Sequence, residues 1–362
     1  MGEHAVLADE EGMIERCRTC LYPRSKPDLH FDETGECAAC RNYKARSTID
    51  WDARHQELLR VLDQCAGRVI VASSAGKDST YICLRLKELG ADVTAVTATT
   101  CQLTKIGRAN IDNLARHVRT IEVTPNMTVR AILNRLAMRL VGDPSWAEHV
   151  SIHRVPFQVA YEKGIHAIFY GEAPNNQYGG PPGTEGTQHM TQRWASEFAG
   201  FLGLRAQDFI DMEGITEAHM RDYQAPTDDA LRMADVTAHF LGYYEPWDSW
   251  RNCDVASTFG FRYESPGPMN WWPFENQDSL QTGIHDYLMF RKFCYGRGAA
   301  QISVDVRAGK VTRERALAWV EKCDGLLPDP YCGEPLSAVL DHIGMTRAEF
   351  DEVVRQFTRQ SC

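Results

Sequence analysis

The sequence predicts an α/β protein built on a doubly wound parallel sheet, and three features carry that expectation. Arg68 to Ser73, RVIVAS, is a short β-branched apolar run that ends in small residues. It leads directly into Ser74-Ala75-Gly76-Lys77-Asp78-Ser79 and then into an amphipathic stretch, so strand, loop and helix fall in that order. Apolar runs of strand length then alternate with helical spacing as far as Tyr170. Alternation of this kind builds a parallel sheet covered by helices, with ligands beyond the carboxyl ends of the strands.

Along the chain, residues 17 to 40 come first: C-x2-C, sixteen residues, then C-x2-C, with the turn formers Asp32, Glu33, Thr34 and Gly35 between short extended pieces. This is a zinc-ribbon pattern. Two paired turns bring four thiolates, from Cys17, Cys20, Cys37 and Cys40, into a closed tetrahedral site of structural type. An iron-sulfur cluster on the same four is the alternative. A helix over 51 to 66 precedes the first strand. After the loop, Thr80 to Leu89 carries Tyr81, Leu84, Leu86 and Leu89 on one helix, closed by Gly90. Strands follow at Val93 to Ala98, Arg119 to Val123 and Ala167 to Tyr170, with helices at Ile106 to His117, Met127 to Leu140 and Phe157 to Lys163. From about residue 240 the chain turns aromatic-rich and helical, ending in amphipathic helices over Thr312 to Asp324 and Pro335 to Phe357. The expected division is 1–50 for the ribbon segment, 51–240 for the sheet domain and 241–362 for the helical region.

Composition narrows the partners. At 362 residues and 43% hydrophobic content the chain buries a sizeable core. A formal net charge of −10 argues against a broad nucleic-acid surface, which needs many Lys and Arg to neutralise phosphates. No stretch reaches the roughly 20 apolar residues of a membrane helix, and the acidic N-terminal segment does not suit a secretory signal, so a cytoplasmic location is expected. The twelve cysteines, four of them in tight pairs, read as metal ligands and buried thiols rather than a disulfide framework.

The loop at Ser74 to Ser79 puts small residues where successive amides approach an anion at a helix N-terminus, and its serines add donors. It does not fit GxxxxGK[ST]. It resembles the SGGxDS motif of the PP-loop ATP pyrophosphatases, with Ala75 where that family has glycine. A methyl there is tolerable at negative φ. The ribbon, this loop, YGEAPNNQYGGP at 170 to 181, GYYEPWD at 242 to 248 and IHDYLMFRKFCYGRG with VRAGKVTRERAL at 284 to 317 together resemble the N-acetyl sugar amidotransferase family. The resemblance runs from about residue 14 to the end. It implies a PP-loop (HUP-like) fold and the conversion of an acetamido group to an acetamidino group in surface-polysaccharide assembly. It also implies ATP cleavage to AMP and pyrophosphate, magnesium, and ammonia from a partner glutaminase, a signature absent from this sequence.

The residues expected to hold ATP are Ser73, Ser74, Ala75, Gly76, Lys77, Asp78, Ser79 and Thr80, with Gly171 after the fourth strand. Asp78 either meets magnesium or caps the helix. Glu172 is placed to reach magnesium or the substrate nitrogen, and Asn175, Asn176, Tyr178 and His285 are candidates for contacts to a small-molecule acceptor. Cys101, just past the second strand with Lys105 and Arg108 following, opens a second chemistry: sulfur transfer through a persulfide, supplied by a cysteine desulfurase, giving a thioamide or thiocarbonyl. A tRNA-thiolating enzyme gripping RNA through Arg18, Arg24 and Lys26 and a nucleotide-binding regulator are the remaining classes.

Overall fold

A computed structural model describes residues 15–184 and 186–360. The first lobe is built on two turns. Antiparallel bridges join Arg16 to Pro23 and Phe31 to Cys37, and Asp32 Oδ1 accepts the amides of Thr34 and Glu36 at 2.9 and 3.0 Å. Helix α1 (Ala38–Ala45) starts directly after Cys37, and α2 (Trp51–Gln64) is capped by Asp50, whose side chain accepts from Ala53 N. The buried side of α2, Leu58 and Leu62, faces the sheet.

The sheet is five-stranded, wholly parallel, in the order β3-β2-β1-β4-β5. Its elements follow the chain: β1 (Arg68–Ala72), α3 (Lys77–Glu88), β2 (Asp92–Ala98), α4 (Lys105–Leu114), β3 (Arg119–Val123), α5 (Met127–Val141), α6 (Trp146–Lys163), β4 (Ala167–Tyr170) and, after a long excursion, β5 (Thr237–Phe240). Within that excursion lie α7 (Pro174–Tyr178), α8 (Gln192–Phe198) and α9 (Asp228–Met233). Side chains alternate between two cores, as a strand's period of two requires. Val69, Val71, Ala167 and Phe169 pack under α2, α3 and α4, whereas Ile70, Val96 and Ile168 pack under α5 and α6. Each fully buried Val or Ile in β1 stabilises the fold by about 1.5–3 kcal/mol.

Three elements differ from the sequence reading. Helix α6 begins eleven residues before Phe157, because Pro156 sits inside it rather than ahead of it. Proline has no N–H for the Ile152 carbonyl, and Tyr170 Oη donates to that oxygen at 3.4 Å instead. Strand β5, four residues after polar sequence, carries too little alternation to be read as a strand alone; pairing with β4 makes it one. The helix expected over 335 to 357 breaks into two at Gly344, which takes φ +67 and so ends a helical run.

The remaining helices are α10 (Leu241–Tyr244), α11 (Ser249–Thr258), α12 (Gln281–Phe293), α13 (Arg297–Arg307), α14 (Arg313–Cys323), α15 (Leu336–His342) and α16 (Arg347–Phe357). They attach at three places: α10 and α11 pack on α2 and α3, α13 and α14 share a core with the cysteine lobe, and α12, α15 and α16 pack with Met138 of α5. No helix among the described residues is long and apolar enough to cross a membrane.

Candidate active site

In the observed strand order, chain connections leave β1 and β4 to opposite sides, and that divergence opens a crevice beyond their carboxyl ends. The loop from Ser73 to Ser79 forms its floor. Ser73 N still reaches the ladder, donating to Val96 O at 2.9 Å, and its hydroxyl then organises the turn by accepting Ala75 N at 3.0 Å and donating to Ser79 Oγ at 3.1 Å. The amides of Lys77, Asp78 and Ser79 precede the first helical donor, Thr80 N to Gly76 O at 3.0 Å, so they are available to an anion. Ala75 corrects the expectation of negative φ: it is held at +56°, a left-handed conformation costing about 1–2 kcal/mol for a residue with a Cβ. Its methyl is buried in the core beneath α3, which offsets part of that strain.

Lys77 points away from solvent, 2% exposed, with Nζ 2.6 Å from Asp78 Oδ2 and 2.5 Å from Glu275 Oε1. Phe274 and Trp272 present their rings to the same ammonium at 5.3 and 5.7 Å. Burial alone would lower the lysine's pKa, but the two carboxylates outweigh it and hold Lys77 charged above its usual range. The partners are fixed in turn: Asn252 Nδ2 donates to Asp78 Oδ1 at 2.9 Å, and Gln301 Nε2 donates to Glu275 Oε2 at 3.0 Å. Burial pushes Glu275 upward, and Lys77 pulls it below the usual carboxylate range.

Above this floor lies a cavity of about 360 Å³, within the size range of small-molecule sites. Val96 and Ala98 of β2 form one wall, Tyr170 and Gly171 of β4 another, and the run Phe274 to Asp278 with Arg297 forms the roof. Of the sequence-predicted residues, Ser73, Ser74, Ala75, Gly76, Lys77, Asp78, Ser79, Gly171 and Tyr178 line it. Thr80 lies one turn deeper, with Oγ1 donating to Ala75 O at 3.4 Å.

Glu172 and Asn176 face a second, neighbouring cavity of about 230 Å³. The Glu172 carboxyl is pushed up to about 7, chiefly by burial, and Oε2 is buried without a partner. Asn175 is packed against Gly180, and its carbonyl accepts from Asn42 of α1 at 3.3 Å. Gly179 lies so close to the cysteine lobe that a Cβ would stand 2.6 Å from Leu29 Cδ1, so the loop that carries these residues leans on that lobe.

Cys101 and His285 lie outside both cavities. The Cys101 amide donates to Glu148 Oε1 at 3.4 Å within a buried network that also holds Arg130 and Asn134. Burial and the Glu148 charge push its thiol up to about 12. His285 Nδ1 lies 2.8 Å from Asp143 Oδ2, and this pairing raises the imidazole above its usual value against the opposing effect of burial.

Cys17, Cys20, Cys37 and Cys40 converge, with sulfur atoms within 4.8 Å of one another and contacts of 3.6 to 3.8 Å. Zn–S bonds of about 2.3 Å in a tetrahedron separate sulfurs by about 3.8 Å, so the donor set fits a structural zinc. All four are buried. Arg313 donates from Nε to Cys20 O at 3.1 Å, tying the lobe to α14.

Sequence reasoning missed Glu275 and Asn252, which reach the loop residues Lys77 and Asp78 from the helical region, and Gln301, which holds Glu275, since no spacing marks them. The polar pair inside NWWPFENQ, amid an aromatic run, was the available signal for Glu275. Residues 257–362, which include the roof, match the family described as LPS biosynthesis protein WbpG-like, C-terminal domain. No curated protein matches the chain.

Proposed function

We propose that this protein is an ATP-consuming enzyme of cell-surface sugar biosynthesis that converts an acetamido group to an acetamidino group. One observation carries the reading: the segment similar to the WbpG-like LPS biosynthesis family supplies Glu275, which closes over the phosphate-type loop by pairing with Lys77. An amide oxygen is a poor leaving group, so it attacks the α-phosphorus of ATP, forming a P–O bond as pyrophosphate departs. Ammonia then adds to the imidate carbon, AMP leaves, and the proton shed by the incoming nitrogen ends on the amidine.

The chain's part is positioning and charge neutralisation. The amides of Lys77, Asp78 and Ser79, with the hydroxyls of Ser73, Ser74 and Ser79, suit the departing pyrophosphate. Lys77, anchored by Glu275, sets the orientation of Asp78. Magnesium, held by oxygen ligands such as Asp78, neutralises phosphate charge when bound. The Cys101 thiol, held protonated by its surroundings and away from the cavity, favours nitrogen over sulfur as the incoming atom.

The test is to incubate the protein with ATP, magnesium, ammonium and a panel of nucleotide-activated acetamido sugars. AMP and pyrophosphate in equal amounts, with a product carrying NH in place of O, are expected. Formation of ADP, or a product carrying sulfur when sulfide replaces ammonium and none with ammonium, would falsify the reading.

A further inference from the structure

The second cavity adjoins the first but differs from it in chemistry. Gly171 lines one and Glu172 the other, and Trp272 of the second cavity stands 5.7 Å from the Lys77 ammonium of the first. Among its charges, Lys310 is taken up by Asp248 at 2.7 Å. Asp305 is satisfied by the indole N–H groups of Trp250, Trp271 and Trp272, at 3.1, 2.7 and 2.9 Å. Three guanidiniums remain, of which Arg251 is spent on the Pro246 carbonyl at 2.6 Å and the Tyr81 hydroxyl at 3.2 Å. Arg46 donates from Nη2 to the Trp247 carbonyl at 2.9 Å, and Arg307 from Nη2 to the Gln177 carbonyl at 2.7 Å. Neither forms an ion pair among the described residues, and Arg307 Nη1 is buried with no partner.

Arg46 and Arg307 both act electrostatically on the Glu172 carboxyl of the same cavity, and Arg307 also on the cysteine cluster, but a guanidinium that forms no ion pair still offers paired donors matched to phosphate or carboxylate. The wall also carries the aromatic rings of Tyr43, Trp247 and Trp250. Apolar ring faces of this kind pack against the C–H faces of a sugar ring. At about 230 Å³ the space is smaller than the roughly 300–1,000 Å³ of sites that enclose whole drug-sized ligands, so it takes one ring and not a complete sugar nucleotide.

We propose that this second cavity is the acceptor subsite, holding one sugar ring that bears an anionic substituent, with Arg46 and Arg307 on the anion and the tryptophan faces against the ring. The proposal rests on the function inferred above, which requires an acceptor beside the phosphate loop. Glu172, whose Oε2 is buried without a partner, then belongs to the acceptor side of the reaction rather than to the phosphate side.

Tryptophan fluorescence of the full chain, titrated without turnover, tests it. The probes are N-acetylglucosamine 1-phosphate, glucuronate, neutral N-acetylglucosamine and inorganic phosphate. At least one anionic sugar should give a saturable change that a non-hydrolysable ATP analogue does not displace, and the two together separate phosphate from carboxylate as the anion. Neutral N-acetylglucosamine and inorganic phosphate should each bind about tenfold or more weaker than that sugar. Arg46→Gln should weaken it by about tenfold or more, and Arg46→Lys should recover part of the loss while showing that the fold persists. The proposal fails if neither anionic sugar binds, if inorganic phosphate or the neutral sugar binds as well as the tighter-binding anionic sugar, if Arg46→Gln changes nothing, or if the ATP analogue displaces that sugar. Since binding is read without catalysis, such a failure leaves the AMP-forming test standing, and a failure of that test leaves this one readable.

Discussion

Lys77 Nζ and Glu275 Oε1 lie 2.5 Å apart although 198 residues separate them in the chain. The ammonium also touches Asp78, so one buried cation is shared by two carboxylates, one adjacent in the chain and one 198 residues away. Removing one partner of a buried ion pair is costly because the other charge stays desolvated. Here Asp78 remains to compensate in part.

Glu275→Gln should therefore lower stability by about 1–3 kcal/mol at neutral pH. The sign with pH is fixed by the lowered pKa of Glu275. Its contribution is present above the unfolded carboxylate value and is lost as pH falls through the lower folded value, so the gap between wild type and variant should close in acid. Urea unfolding at neutral and acidic pH measures this. A gap that is constant with pH would show that Glu275 acts by packing alone.

Ala75 offers a test of backbone strain. Ala75→Gly relieves the left-handed conformation at φ +56 but gives up a buried methyl worth about 0.8 kcal/mol, so the two effects nearly cancel. Ala75→Val adds a β-branched side chain at a φ that such residues avoid, and should cost more than about 2 kcal/mol. Equal unfolding midpoints for the two variants would contradict the observed loop conformation.

Glu172 is predicted to weaken the fold it serves. With its carboxyl pushed up to about 7, the folded state binds the proton more tightly than the unfolded state, so this group's contribution is present below the unfolded value near 4.5 and is lost as pH rises through about 7. Glu172→Gln should thus be more stable than wild type at pH 8, by an amount on the order of 2–3 kcal/mol at most, and nearly equal to it at pH 4. Thermal melts across that window provide the measurement. A variant less stable than wild type at pH 8 would mean that the carboxylate has a partner in solution.

How much was legible in the sequence follows from where each signal lies. The strand, loop and helix from Arg68 to Glu88 are local, and β-branched spacing with small loop residues suffices to read them. The four cysteines are likewise readable, because two C-x2-C turns have few other uses. What could not be read is set by pairing at long range. The role of Glu275 depends on how the helical region docks, and β5 depends on β4 beside it. The start of α6 was also beyond the sequence reading, since Pro156 lies inside the helix and Tyr170 Oη satisfies the carbonyl it leaves free.

The four-cysteine lobe should carry one zinc per chain by metal analysis of the purified protein, and Cys37→Ser should reduce both metal content and melting temperature. Because Gly179 and Asn175 rest against this lobe, chelation should also increase protease cleavage of the loop after β4. Stoichiometric iron with visible absorbance would replace zinc with an iron-sulfur cluster. Protein free of metal yet fully stable would remove the site.

The last prediction concerns Cys101, whose place just beyond β2 made it the candidate for sulfur chemistry. A thiol attacks only as thiolate, and one pushed up to about 12 by burial and by Glu148 is almost wholly protonated near neutral pH. Arg130, the cation that would lower it, is already engaged with Tyr223, Ser151 and Glu148 at 2.9, 2.6 and 3.3 Å. Cys101→Ala should therefore keep AMP formation and acceptor turnover within about threefold of wild type, with a stability loss of about 1 kcal/mol from the missing sulfur in a packed site. Labelling with iodoacetamide should modify Cys101 slowly in the folded chain and readily after unfolding. The opposite pattern, fast labelling of Cys101 in the native protein together with loss of product in Cys101→Ala at an unchanged melting temperature, would restore the persulfide route and with it sulfur as the transferred atom.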